Sequence, residues 1–118
     1  MNYNGMPAGR EMDALVAEKV MGLEVSRDHY GGPRHLVRTG AKWRYDVIEA
    51  YSTKISSAWE VVEKMIHLDP MIDWWGSHWD CVLRRQEGSC EEYTASAPTA
   101  PLAICRAALN AAETGEEE

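Results

Sequence analysis

The chain has no phenylalanine and only three cysteines among its 118 residues, and the residue patterns that it lacks exclude several classes of protein. Three cysteines, Cys81, Cys90 and Cys105, are an odd number without paired spacing, which argues against a disulfide framework and predicts reduced thiols. No run of 18 apolar residues is present, and the N-terminus lacks the pattern of a secretory signal peptide. We therefore expect a cytoplasmic protein with no membrane partner.

Basic residues are also scarce. Lysine and arginine total 12 against 19 acidic residues, a net charge of −7, which argues against binding duplex nucleic acid because such binding needs a cationic surface. Hydrophobic residues make up 45% of the chain and charged residues 26%, proportions that are ordinary for a folded protein. Length and composition together predict a single domain over residues 1–118.

The strongest pattern that is present is an amphipathic helix within residues 51–66. Its apolar residues recur at the spacing of one helical face, so we expect this face, including Trp59, to be buried. Ser52 or Thr53 is predicted to cap the helix, and Asp69-Pro70 to end it. The predicted buried stripe consists of Ile55, Ala58, Trp59, Val62, Met65 and Ile66.

Two further helices and several strands complete the prediction. Helices are expected over residues 10–21 and from Thr99 onward, where Pro101 is tolerated in the first turn. Strands are expected near residues 23–25, 43–51 and 74–85, the last pairing with 89–94 as a hairpin. The simplest fold is α+β, a small antiparallel sheet with three helices packed on its faces. The remaining segments are predicted as a flexible lead-in (1–9), a long loop (26–40) and an acidic tail (114–118).

Adjacent tryptophans, Trp74 and Trp75, carry a separate prediction. Neighbouring residues of a strand point to opposite faces, so at least one of the two must lie away from the principal core. It would then pack in another layer or at an interface.

Three segments resemble one family, the phage ABA sandwich domain: residues 12–22, 51–65 and 99–109. The runs Ala-Trp-Glu-Val-Val-Glu-Lys and Ala-Pro-Leu-Ala-Ile-Cys-Arg-Ala-Ala-Leu carry most of this resemblance. It implies a three-layer α/β/α sandwich and a phage or prophage protein acting in the cytoplasm of the infected bacterial host. The resemblance implies no reaction, since the family has no established catalytic set, and residues 26–42 depart from it.

The sequence offers no clear catalytic or metal-binding motif. Four histidines and three cysteines supply ligand types without the spacing of a zinc site, and no cysteine is marked as an activated nucleophile. Acidic residues are scattered, and Gly31-Gly32-Pro33 is a turn signal rather than a phosphate-binding loop. We therefore predict a protein that is not an enzyme, with no metal and no cofactor.

One segment departs from the acidic character of the rest. Residues 27–44 hold five basic residues against one acidic residue, a local net of +4, which leaves −11 for the remainder. Either this segment is a solvated loop, or it forms an anion site in which arginines hold phosphate and aromatic rings stack on a base. The predicted ligand-binding residues are Tyr30, Arg34, Arg38, Trp43, Arg44 and Tyr45, with Arg106 as a further candidate.

Two functions fit these observations. The first is sequestration of a small phosphorylated, nucleotide-like ligand, such as a cyclic nucleotide signal of a bacterial antiviral system. The second is a protein interaction module that inhibits a host defence protein through its acidic surface. In either case we expect a homo-oligomer, a dimer or larger, because a small domain often completes its binding surface at a symmetric interface.

Overall fold

A computed structural model describes residues 3–27, 33–39, 42–84 and 92–116, of which 26–27, 33–39, 42–47 and 113–116 are described as backbone alone.

The first helix covers the predicted region but changes its geometry partway. Helix α1 (Arg10–Leu15) continues without a break into a π-helical turn (Val16–Val20), and Met12, Val16 and Ala17 are fully buried along it. Gly22 follows with φ of 72°, the left-handed conformation that glycine adopts without steric cost. The prediction of a helix over 10–21 is therefore confirmed.

A three-stranded antiparallel sheet follows, formed by β1 (Val25–Arg27), β2 (Pro33–Thr39) and β3 (Lys42–Val47) in that order. The expectation of one long loop over 26–40 is wrong, because most of its second half is strand β2. Pro33 is the first residue of that strand, a position where proline is tolerated. Gly31-Gly32-Pro33 and Gly40 had suggested a loop, whereas the strand between them is defined by its pairing with β1 and β3.

A second three-stranded antiparallel sheet contains β4 (Met71–Trp74), β5 (Trp79–Arg84) and β6 (Glu92–Ala97). The single strand expected over 74–85 is divided by a tight turn, in which the Trp75 N–H donates to the His78 carbonyl at 2.9 Å. Gly76 has φ of 86° there, and a glycine of positive φ suits the first central position of a two-residue hairpin loop. The predicted hairpin between 74–85 and 89–94 is present as the pairing of β5 with β6.

Helix α3 (Ala100–Glu116) is the centre of the core. It packs across β5 and β6 and also contacts α2 (Ile55–Lys64) and the π-helical turn. Small side chains allow the close approach. The buried small residues of α3 include Ala103, Cys105, Ala107, Ala108 and Ala111, and these belong to the same cluster as Cys81, Leu83, Ala95 and Ala97 of the sheet. The predicted α+β fold is confirmed.

Both chain ends differ from the prediction. Tyr3 is only 3% exposed and its N–H donates to Asn110 Oδ1 at 3.0 Å, so residues 3–9 pack against the domain instead of forming a flexible lead-in. At the other end, α3 runs through residues 114–116, so most of the predicted acidic tail is helical.

The buried face of α2 is rotated from the predicted one. Ala58, Val61, Val62 and Met65 are buried, whereas Trp59 is 52% exposed, so the prediction that Trp59 belongs to the core is wrong. The apolar arc of this helix is wider than the surface that covers it. The predicted cap is wrong as well. Lys54 is the N-cap residue and makes no side-chain cap hydrogen bond, whereas the Ser52 hydroxyl donates to Asp13. A short 3-10 turn (Ile66–Leu68) follows α2.

The prediction for the adjacent tryptophans is confirmed in a stronger form. Trp74 is 53% exposed and Trp75 is 64% exposed, so both extend well beyond the core. The Trp74 ring lies 5.3 Å from that of Trp79, its cross-strand partner, at an interplanar angle of 45°.

Candidate functional site

The β2–β3 hairpin positions most of the residues predicted to bind an anion. In its register Arg38 lies opposite Trp43, and Leu36 lies opposite Tyr45. Directly opposite residues of an antiparallel pair share a face, and residues two apart on one strand also share it. Arg34, Arg38, Trp43 and Tyr45 therefore belong to one face of the hairpin, which we call the Arg-aromatic face.

The opposite face of this sheet is the one associated with the core. Val25 of β1 pairs with His35, and Val25 packs against the buried cluster. His35 and Arg34 are successive residues and so belong to different faces. Val25 thus packs against the core from one face of the sheet, and the Arg-aromatic face is the other one.

One of the predicted residues, Arg44, is not on this face. Arg44 pairs with Val37, which places it on the other side of the sheet. Tyr30 lies outside the described residues. The strand register thus places Arg44 on the opposite face from the other four residues, although the sequence had grouped all five in one predicted site.

Arg106 has a structural role. Its Nε and Nη2 donate to the Met6 carbonyl at 3.0 and 2.8 Å, and its Nη1 donates to the Ser96 carbonyl at 2.8 Å. These bonds fix the orientation of the guanidinium and join the N-terminal segment, α3 and β6. We therefore leave Arg106 out of the candidate anion site.

The buried thiols are unsuited to nucleophilic catalysis. Burial raises the pKa of Cys81 to about 12. Burial is also the main reason that the pKa of Cys105 is raised, and the nearby Asp13 carboxylate adds to it. A reactive cysteine needs a lowered pKa and access to solvent, and these two residues are 1% and 0% exposed. Cys90 lies outside the described residues.

A buried polar network that the sequence did not reveal joins α1 to the segment before α2. Asp13 Oδ1 accepts hydrogen bonds from Ser52 Oγ at 2.6 Å and from the Ser52 N–H at 2.8 Å. Ser52 Oγ in turn accepts from the Gly9 N–H at 3.0 Å. Ser52 is 0% exposed, so no substrate reaches its hydroxyl, and the network holds the fold together. The two partners are 39 residues apart, which is why no local pattern pointed to them.

In the part of the chain with described side chains, no three or more histidine, cysteine or acidic residues come together as a metal site. Within the same part, no helix has the length and apolarity needed to cross a bilayer.

Comparison with known proteins agrees with this architecture. The family model of the phage ABA sandwich domain matches residues 14–109. The chain belongs to the phage ABA sandwich domain family. This confirms the resemblance seen in its helical segments, and the family is not known as one of enzymes.

A crystal structure of a phage protein from Bacillus cereus ATCC 14579 is similar to the chain, with a TM-score of 0.68 and 27% sequence identity. The similarity covers 88% of this chain and 86% of the Bacillus cereus protein, so it extends over nearly the whole domain. No curated protein matches the chain.

Proposed function

We propose that this ABA sandwich protein is a phage-encoded, non-catalytic binding protein that sequesters a small phosphorylated, nucleotide-like ligand. Such a ligand would be a cyclic nucleotide signal of bacterial defence, and its capture in the cytoplasm of the infected host would counteract that defence. One observation carries the proposal: the β2–β3 register assigns two arginines and two aromatic residues to a single face of the hairpin.

The spacing along β2 suggests a ligand with two separated phosphates. Arg34 and Arg38 are four residues apart, roughly 13 Å along a strand. Tyr45 lies level with Leu36, halfway between them, at diagonal distances of about 7–8 Å. This arrangement suits a base stacked on Tyr45 with a phosphate on each side, as in a cyclic dinucleotide.

Contacts from arginine and aromatic side chains can bind a nucleotide tightly without catalysing a reaction on it. Charge-assisted hydrogen bonds from arginine to phosphate are about twice as strong as neutral ones. Stacking of a base on an aromatic side chain contributes about 1–3 kcal/mol. The acidic remainder of the chain, at −11 against a local +4, repels anions at long range, so binding depends on these short-range contacts.

The test is calorimetric titration with cyclic mono- and dinucleotides and their linear counterparts. We expect the Arg34→Gln, Arg38→Gln double variant to lose binding, whereas Arg44→Gln keeps it. Arg44→Gln is the matched control for either single variant, Arg34→Gln or Arg38→Gln, because it removes the same single charge from the same hairpin on the opposite face. Absence of binding by the wild type, or equal loss in Arg44→Gln, would overturn the proposal.

The second candidate, inhibition of a host defence protein, is favoured by α2, where the acidic residues Glu60 and Glu63 are exposed beside Trp59. Plaque formation on defence-expressing bacteria distinguishes the two functions. Ligand sequestration predicts that a Glu60→Gln, Glu63→Gln variant still protects the phage and that the Arg34, Arg38 variant does not. Host-protein inhibition predicts the reverse.

A further inference from the structure

The second sheet has one face against the core and one face in solvent. Cys81 of β5 pairs with Ala95 of β6, and both are buried in the cluster that includes α3. Successive residues of a strand point to opposite faces, so Asp80 and its partner Ser96 lie on the other side. Asp73 lies there too, because it pairs with Asp80 across β4 and β5. We call this side of the sheet the outer face.

An exposed tryptophan belongs to the outer face. The Trp75 N–H donates to the His78 carbonyl at 2.9 Å, so the pairing of β4 with β5 continues up to the turn. The alternation along the strands then puts Trp75 and His78 on the side of Asp73 and Asp80. The distance of 3.3 Å between His78 Nε2 and Asp80 Oδ1 agrees with this placement. Trp75 is 64% exposed and Met71, at the other end of β4, is 46% exposed, so this face is open to solvent in the described part of the chain.

The charges on the outer face are unbalanced. Asp73 is exposed and lies directly opposite Asp80, which puts their Cβ atoms about 4.5–5.5 Å apart. Like charges in that arrangement repel and destabilise the folded chain. Arg84 is a basic residue of this face, but its Nε already lies 3.1 Å from Glu92 Oε1. Within the described part of the chain the Asp73 carboxylate makes no hydrogen bond or ion pair, so a cation from outside would relieve the repulsion.

We propose that the outer face binds a basic segment of a partner protein, with an arginine of that segment stacked on Trp75 and paired with Asp73. The two residues are two positions apart, about 7 Å along a strand, so a guanidinium stacked on the indole ring reaches the neighbouring carboxylate. Arginine suits both contacts because its planar guanidinium stacks on aromatic rings and pairs with carboxylates through two parallel N–H groups.

Charge complementarity selects this partner. The chain carries a net charge of −7, which attracts a basic segment at long range and repels an acidic one. A neutral segment gains neither the ion pair with Asp73 nor the cation–π contact with Trp75. The binding is separate from that of the Arg-aromatic face, which belongs to the other sheet.

Fluorescence anisotropy with short labelled peptides tests the chemistry of the partner. The probes are a hexapeptide of alternating arginine and valine and the same peptide with citrulline, a neutral isostere, in place of arginine. We expect the arginine peptide to bind at least about tenfold more tightly than the citrulline peptide and to bind more weakly as salt is added. Equal binding of the two peptides, or no binding of the arginine peptide, would overturn the proposal.

Two substitutions with matched controls locate the site. Trp75→Ala and Asp73→Asn should each weaken binding of the arginine peptide by at least about fivefold. Trp59→Ala removes an exposed tryptophan from α2, and Glu60→Gln removes an exposed negative charge from the same helix. Both control variants should bind the peptide as the wild type does. Equal weakening by Glu60→Gln would assign the binding to the overall negative charge and refute the site.

Thermal denaturation separates binding from a structural role of Asp73. Asp73→Asn should raise the melting temperature by about 1–5 °C, because it removes the repulsion from Asp80. A lowered melting temperature would show that the carboxylate stabilises the fold, and its assignment to a partner would then be wrong.

Sedimentation velocity distinguishes a partner protein from a second copy of this chain. The basic residues of another copy are the competing occupant, since residues 27–44 carry a local net charge of +4. We expect the sedimentation of wild type and Asp73→Asn to be the same at every concentration. Self-association of the wild type that Asp73→Asn abolishes would assign the outer face to a second copy and overturn the proposal.

Discussion

The hydrogen bonds between Asp13 and Ser52 provide the sharpest test of how this fold is held together. Asp13 is 8% exposed and Ser52 is 0% exposed, so both partners have lost most of their contact with water. We expect Asp13→Ala to be among the most destabilising substitutions in the chain. The reason is that it leaves the Ser52 N–H and hydroxyl buried without their acceptor.

The magnitude follows from the number and kind of bonds lost. A hydrogen bond to a charged group contributes about 1.5–3 kcal/mol, and Asp13 Oδ1 accepts two of them from Ser52. Asp13→Ala should therefore lower the free energy of unfolding by about 3–6 kcal/mol, at least about a fifth of the roughly 5–15 kcal/mol of a typical domain. Asp13→Asn keeps a carbonyl acceptor, so its loss should be about half as large.

Chemical denaturation monitored by circular dichroism measures these losses, and the chain provides a matched control. Ser96 Oγ donates to Asp80 Oδ1 at 2.6 Å, the same length as the bond from Ser52 Oγ to Asp13, but in an exposed position. Ser52→Ala should cost about 2–3 kcal/mol and Ser96→Ala less than about 0.5 kcal/mol, because water replaces an exposed bond readily. Equal losses for the two serine variants, or a loss below about 1 kcal/mol for Asp13→Ala, would refute the reasoning.

Three further predictions address other contacts. Burial, with smaller contributions from nearby carboxylates, raises the pKa of Tyr51 from 10.0 to about 12. The contribution of the neutral Tyr51 to stability is therefore complete below pH 10 and is lost as the pH rises toward 12. Tyr51→Phe should flatten the dependence of the melting temperature on pH over this range. In the Cys90→Ser variant, Cys81 and Cys105 should resist a thiol reagent at pH 8 until the protein is unfolded, and fast labelling of the native protein would contradict their burial. Trp59→Ala should lower the free energy of unfolding by less than about 1 kcal/mol, and a loss of 3 kcal/mol or more in urea denaturation would show that Trp59 is buried after all.

Helices were the elements best predicted from the sequence. The apolar periodicity of residues 10–21, the buried small residues of α3 and Pro101 in its first turn all correspond to the structure. These signals are local, since a helix forms its hydrogen bonds within one segment and its apolar stripe recurs every three to four residues. Gly76-Ser77 is also a local signal for a hairpin turn, although it was missed because the strand pattern on both sides was continuous.

Sequence alone determined the fold class, the helices, the family and the contrast between a basic segment and an acidic remainder. Tertiary structure decided which apolar residues of α2 are buried. The apolar face of this helix is wider than the surface that packs against it, so the position of the neighbouring elements determines which residues they cover. It also decided the pairing of Asp13 with Ser52 and the separation of Arg44 from Arg34 and Arg38, since strand register and contacts between distant segments depend on how the whole chain packs.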